Sequence, residues 1–282
     1  MTIKNYLKYL TSKLTALYSF TEANSIANML IIKKLQLNKI DLVLNSDNEI
    51  SENNFQNLLK SELRLLDAEP IQYILGECFF YGLKYFVDKN VLIPRQDTEI
   101  LVDFIIKKHK NNQNLKILDI CSGSGCISIS LQKNLPMAMV AAIEISENAI
   151  KIMKKNCILN NINGIKIYKY DLLSDENIPF KNNFDIIVCN PPYILEKEKV
   201  KMHKNVVCYE PELALFVKDD KPLIFYEKIF DKFVNHLNVK YLYFEINENF
   251  TNEIINIGMK KHFNKYEVLQ DFNGNDRFVC FE

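Results

Sequence analysis

Apolar side chains recur at helical spacing through residues 2 to 68: Tyr6, Leu7, Leu10, Leu14 and Leu17, then Ile26, Met29, Leu30 and Ile31, then Phe55, Leu58, Leu59, Leu63, Leu65 and Leu66. Positions three and four apart share one helix face, so the spacing predicts a small helical bundle. Thr21 and Ser51 stand where N-caps belong, each followed by Glu in the first turn, where a carboxylate meets unpaired N–H groups. Pro70 disfavours helix at the residue before it and predicts the end of the bundle. Ile71 to Ile93 is aromatic and β-branched, with turn signals at Gly76, Tyr81-Gly82 and Asp88 to Asn90, which predicts a β-hairpin linking two domains.

Beyond Pro94 the two periods alternate. Helices are expected at 97–110, 125–134, 148–159, 222–236 and 250–261, and strands at 116–120, 139–145, 165–170, 184–189, 241–246, 265–271 and 276–281. Strands alternating with helices imply an α/β domain with a mostly parallel sheet covered on both faces. Ligands in such folds bind at the carboxyl ends of strands, so chemistry is expected in the loops after 120, 145, 170 and 189.

Composition narrows the field. The 282 residues carry 35 basic and 35 acidic side chains, a balance that argues against a chain built to coat nucleic acid. All but three of the basic residues are lysine; the arginines are Arg64, Arg95 and Arg277. The lysine surplus reads as a coding bias. The seven cysteines, Cys78, Cys121, Cys126, Cys157, Cys189, Cys208 and Cys280, never form a CxxC pair and read as small buried hydrophobes of a reducing cytosol, with no metal site. The longest apolar stretches, such as 137–143, are far short of the roughly 18 residues a membrane span needs, so a soluble cytoplasmic protein is expected. The histidines His109, His203, His236 and His262 lie away from the strand-end loops and are expected at or near the surface, without chemistry.

The first of those loops, within Ile117 to Ile127, places two of only seven glycines, Gly123 and Gly125, within three residues. A backbone that passes close to a ligand needs such residues. A dinucleotide fingerprint would want a third glycine where Ser128 stands, which weakens that reading. An acidic strand end before a glycine turn is similar instead to S-adenosylmethionine-dependent methyltransferases, where a carboxylate such as Asp119 has a cation to meet. Glu144 ends the second strand about 20 residues beyond the turn and can accept both hydroxyls of a ribose. Asp171 and Leu172 follow the third strand, the one able to accept from an adenine amino group and the other to cover the ring. Each of these residues alone is as common in plain turns.

After the fourth strand the chain reads Asn190-Pro191-Pro192-Tyr193. A planar amide or exocyclic amine has a delocalised lone pair, so catalysis requires hydrogen-bond acceptors that orient it more than it requires a strong base. The Asn190 side-chain oxygen and the Pro191 carbonyl can accept its two N–H bonds, while the second proline, Pro192, stiffens the segment and Tyr193 can lie against the planar group. Positioning is then the main catalytic term.

Nearly the whole chain resembles the HemK/PrmC protein-(glutamine-N5) methyltransferases. The carriers are Glu69 to Gly76, Leu92 to Glu99, the glycine turn, Asn190 to Tyr193, Tyr209-Glu210-Pro211 and Gly274 to Arg277. The Pro94-Arg95-Gln96-Asp97-Thr98-Glu99 segment separates this family from sister enzymes acting on a ribosomal protein. The resemblance implies a Rossmann-like class I methyltransferase sheet, mostly parallel with an antiparallel C-terminal strand. It implies a helical substrate-docking domain at 1–69, a β-hairpin linker at 70–95 and an S-adenosylmethionine-dependent domain at 96–282. It also implies a cofactor site of Asp119, Cys121, Ser122, Gly123, Ser124, Gly125, Glu144, Asp171, Leu172 and Asn190, and a substrate and catalytic site of Asn190, Pro191, Pro192 and Tyr193. The expected partner is a class-one peptide-chain release factor, methylated on its Gly-Gly-Gln glutamine by a monomer, with no membrane or direct nucleic-acid partner.

Three departures stand out. Cys121 replaces a usual first glycine, with little harm expected from so small a residue; Asn247 and Phe250 replace Gly and Gln of a Glu-x-Gly-x-x-Gln pattern, touching only a peripheral helix start; and Lys221 replaces a glycine after Asp220. The alternatives are N5-glutamine methylation of a ribosomal protein, an adenine or cytosine amino-methyltransferase of nucleic acid, and a cofactor-binding module without catalysis. The charge balance and the intact Asn190 to Tyr193 segment oppose the last two. Arg95 and Arg277 are expected to supply a planar fork that lysine lacks, tying the loop before the sheet to the last hairpin.

Overall fold

The computed structural model describes every residue except 181, 182, 235, 236, 238 and 262, so His236 and His262 lie outside the described residues. The chain forms two compact units, Met1–Glu77 with His203–Tyr209, and Cys78–Met202 with Glu210–Glu282.

The first unit is helical: α1 (Ile3–Leu14), α2 (Phe20–Lys34), α3 (Lys39–Leu44), α4 (Glu52–Leu66) and α5 (Ile71–Leu75). Tyr6, Leu10, Leu14, Leu30, Leu58 and Leu65 form its dry centre, while Leu63 faces out at 69% exposure. Helix α2 begins two residues earlier than expected because Ser19, not Thr21, caps it, accepting from the Glu22 N–H. Ser51 does precede α4, but its side chain makes no capping bond. Pro70 both follows one helix and caps the next: a proline needs no N–H partner at a helix start, so Ile71–Leu75 is a helical turn where hairpin was expected. Residues His203–Tyr209 contribute α9 (Lys204–Val207), and Asp67 holds them, accepting from Lys204 Nζ at 2.7 Å and from the Tyr209 hydroxyl at 2.6 Å. That carboxylate pushes the Tyr209 phenol up to about 12.

A hairpin of β1 (Glu77–Phe80) and β2 (Leu83–Phe86) turns through Tyr81 and Gly82, both at positive φ, the two-residue geometry that matches strand twist. Then come α6 (Gln96–His109), β3 (Lys116–Ile120), α7 (Cys126–Asn134), β4 (Met139–Glu144), α8 (Glu147–Leu159), β5 (Lys166–Lys169) and β6 (Ile186–Cys189). The short parallel pair β7 (Ile194–Leu195) and β8 (Phe216–Val217) precedes α10 (Ile224–Ile229), β9 (Tyr241–Glu245), α11 (Thr251–Lys261), β10 (Tyr266–Gln270) and β11 (Asp276–Phe281). Helix α10 widens into a π-helical turn at Phe230–Val234, and Phe230, Phe233 and Val234 all enter the core.

The main sheet has seven strands in the order β10-β11-β9-β6-β3-β4-β5. Only β11 runs against the others. Central β3 pairs with β4 on one side and β6 on the other, so the chain leaves the middle in both directions from one edge. That reversal of strand order opens a crevice at the carboxyl ends. No helix among the described residues is long and apolar enough to cross a membrane. Cys208 is exposed, contrary to the expectation of burial, and His109 is buried at 1% exposure, not near the surface. His109 meets the Tyr243 hydroxyl at 2.7 Å, and burial lowers its imidazole to about 4.

Helix α11 lies so close to β11 that a Cβ at Gly258 would sit 2.2 Å from the Phe281 ring. Alanine ordinarily gains about 1 kcal/mol over glycine inside a helix. Overpacking costs about 1 to 3 kcal/mol and wins here. Gly258→Ala is therefore expected to lower the thermal midpoint by several degrees, and a higher midpoint would show that the ring moves aside.

Candidate active site

The turn after β3 is built from left-handed residues. Cys121, Gly123 and Gly125 have φ of 61°, 54° and 80°. For Cys121 that conformation carries a cost of about 1 to 2 kcal/mol, so replacing a glycine here is not harmless, as its size alone implied. The turn is held on several sides. The Ser122 N–H and Oγ both donate to the Ile143 carbonyl at 3.1 Å, and the Gly125 N–H donates to the Ser122 carbonyl at 2.8 Å. Buried Asn156 of α8 donates to the Ser124 carbonyl at 2.9 Å while exchanging bonds with the Phe86 backbone, which joins the turn to β2.

Glu144 closes the arrangement from β4. One carboxylate oxygen accepts the Gly123 N–H at 2.8 Å and the other the Ser146 N–H at 2.9 Å. Each oxygen keeps a lone pair for a further donor. Asp171 bends the chain after β5 by accepting the Leu173 N–H at 2.8 Å, which leaves Leu172 4% exposed against the core.

These parts surround one cavity of about 280 Å³ at the carboxyl ends of β3, β4, β5 and β6. Its wall includes Cys121, Ser122, Gly123 and Ser124, then Glu144, Asp171, Leu172, Asn190 and Pro192. Gly125 lies beneath the turn against Met153, where a Cβ would meet the methionine at 2.6 Å. Asp119, Pro191 and Tyr193 stand outside the wall. Asp119 points into the protein: one oxygen accepts from the backbone N–H and hydroxyl of Ser128, and Oδ1 is buried without a partner among the described residues. Burial pushes its carboxyl up to about 7.

Tyr193 donates its hydroxyl to Glu245 at 3.0 Å, and the Arg277 guanidinium lies 5.8 Å from its ring centroid. Glu245, 2% exposed, also accepts from the Thr98 hydroxyl at 2.7 Å. Asn247 is not peripheral: its amide donates to the Tyr193 carbonyl and to Glu198, both at 3.3 Å. The ion pairs of the arginines do not tie the loop before the sheet to the last hairpin. Arg95 pairs with buried Glu210 at 2.6 Å, and Arg277 pairs with Asp271 at 3.1 Å. The sequence gives no site role to Arg95 and Thr98, which line the cavity, or to Glu245; the signals for Glu245 were a carboxylate ending an apolar strand and its place as the Glu of the Glu-x-Gly-x-x-Gln pattern.

A parallel sheet with one reversed strand, and a glycine turn bonded to an acidic strand end in the wall of one cavity, define a Rossmann-like methyltransferase domain. The family model "Methyltransferase small domain" matches residues 96–212, and "PrmC N-terminal domain" matches residues 5–76. A release factor glutamine methyltransferase of Flavobacterium psychrophilum is 43% identical over 99% of this chain and 98% of its own length. One from Bacteroides thetaiotaomicron is 38% identical over 96% of each. The solved structure of a human methyltransferase 10 domain containing protein shares the fold at a TM-score of 0.51 and 16% identity, covering 72% of this chain and 90% of that one. The chain belongs to the family of release factor glutamine methyltransferases, and it is an enzyme.

Asp119 generates a pH signature. An acid whose folded pKa lies above its unfolded value holds its proton longer when folded, so its contribution is full below about pH 4 and lost as pH rises through about 7. Denaturant melts of the ligand-free protein should show Asp119→Asn losing less stability than the parent between pH 5 and pH 8. Equal losses would mean that Asp119 ionises normally.

Proposed function

We propose that the cavity holds S-adenosylmethionine and that the enzyme methylates the side-chain amide nitrogen of the Gly-Gly-Gln glutamine in class-one peptide-chain release factors. The observation that carries this reading is the presence of Asn190 and Pro192 in the same wall as Glu144 and the glycine turn. The donor set fits the cofactor. Glu144 has lone pairs left for ribose hydroxyls, and Leu172 offers an apolar face beside Asp171 in the same wall. The Gly123 backbone, with nothing where a Cβ would stand, leaves room for close approach.

S-adenosylmethionine supplies an electrophilic methyl group on a sulfonium sulfur. The protein's part is to present the nucleophile. Asn190 Oδ1 and the Pro191 carbonyl accept the two N–H bonds of the glutamine amide and turn its nitrogen toward the cavity. Pro191 and Pro192 fix φ on both sides of the Pro191 carbonyl, so little conformational freedom is lost on binding. Tyr193 limits rotation of the planar amide. The neutral charge balance suits a protein partner better than a phosphate backbone.

The helical residues 1–69 serve as the docking module for the release factor, residues 70–95 as the linker and 96–282 as the transferase, working as a cytoplasmic monomer. The match of residues 5–76 to the PrmC N-terminal domain supports the first assignment.

Labelled S-adenosylmethionine with purified release factor is expected to place label on the Gly-Gly-Gln glutamine, located by peptide mass. Label appearing only on a ribosomal protein or nucleic acid would overturn the assignment. Asn190→Ala should reduce turnover at least 100-fold, a loss of about 3 kcal/mol, while leaving cofactor binding measurable by calorimetry. Glu144→Ala should chiefly weaken cofactor affinity, by about 10- to 100-fold. Normal turnover in Asn190→Ala would remove the acceptor role.

A further inference from the structure

We propose that Glu245, with Asn247, is a positioning residue that fixes Tyr193 and through it the Asn190-Pro191-Pro192 acceptor segment; the inference rests on the function proposed above. Strands β6 and β9 are parallel neighbours with Cys189 level with Phe244, so Asn190, just past β6, and Glu245, the last residue of β9, stand side by side at the carboxyl end of the sheet. Glu245 does not line the cavity and is 2% exposed. Its reach is through Tyr193.

Tyr193 is restrained at three places. Its hydroxyl donates to Glu245 at 3.0 Å, its carbonyl accepts from Asn247 at 3.3 Å, and its ring faces Arg277. Glu245 is itself oriented, since its second oxygen accepts from Thr98 at 2.7 Å, a residue that does line the cavity. A buried carboxylate held by two hydroxyl donors is costly to build for packing alone, because an apolar side chain would fill the same volume without desolvating a charge. Two prolines separate Asn190 from Tyr193, so the segment is stiff, and a rotation of Tyr193 is transmitted to the acceptor pair. Displacements of about 1 Å at such positions can reduce turnover 100-fold.

Steady-state kinetics on the release factor separates positioning from folding. Glu245→Ala is expected to lower kcat about 10- to 100-fold without moving KM for S-adenosylmethionine, and Glu245→Gln, which keeps an oxygen acceptor, to recover part of it. Asn247→Ala should cost a smaller factor of the same kind. Combined with Tyr193→Phe, which removes the shared hydroxyl, Glu245→Gln should cost nothing further. Multiplying losses, or a change in KM with kcat intact, would overturn the proposal. Fluorotyrosine NMR gives a second readout that needs no turnover and also serves where Glu245→Ala fails to fold. The Tyr193 resonance, identified by its loss in Tyr193→Phe, should shift in Glu245→Gln; an unmoved resonance would equally overturn the proposal. If the parent enzyme leaves the release factor unlabelled, the functional reading fails while the resonance still decides whether Glu245 holds Tyr193.

Discussion

One carboxylate joins the two turns on which the active site depends. Glu144 accepts a backbone N–H from the turn after β3 and another from the turn after β4, so neither loop can move without breaking a charge-assisted bond. The strands beneath are already in register, Ile120 level with Ile143. The carboxylate extends that register past the end of the sheet, where no ladder bond remains to hold the chain. Asn190 emerges on the other side of β3 from a third strand tied to the same centre. The cavity is therefore the gap between three strand ends, and the sheet sets its width.

Local costs concentrate around that gap. Cys121 adopts a left-handed backbone that its side chain disfavours, and Asp119 and Glu245 are carboxylates removed from water. What surrounds those carboxylates is consistent: Ser128 for Asp119, Thr98 and Tyr193 for Glu245. Their side-chain bonds come from neutral donors, Asp119 keeping one oxygen without a partner among the described residues, although lysine dominates the basic residues of the chain. Where a fixed cation is used, it is arginine. Arg95 grips Glu210, which also accepts the Ile93 N–H, and so fastens two segments of the cavity wall. Arg277 is forked onto Asp271 and the Ile246 carbonyl, which leaves its flat face for Tyr193.

The elements that carry chemistry were legible because each has a local signature. Gly123 and Gly125 are scarce residues in a scarce conformation, and Asn190 to Tyr193 follow an apolar strand. Glu144 falls at a strand end by simple counting. What escaped was set by distance along the chain. Tyr193 meets Glu245 across 52 residues and Arg95 meets Glu210 across 115, and no periodicity reports such pairings. Orientation escaped as well: a strand of period two places Asp119 on one face or the other, and only the packing of Ser128 decides that it turns inward. The extra helix at Ile71–Leu75 was hidden because proline ends helices and starts them equally well.

The first compact unit is discontinuous, completed by His203–Tyr209. Its helices leave the ribosome early, but Asp67 cannot meet Lys204 or Tyr209 until roughly 140 more residues have been made. At about 5 to 20 residues per second that is a wait of many seconds. By then the residues of β3, β4, β5 and β6 have been synthesised, so the last clasp of the N-terminal helices forms only after those strands of the catalytic sheet are present in the chain. The chain thus couples the order of its own synthesis to the completion of its smaller half.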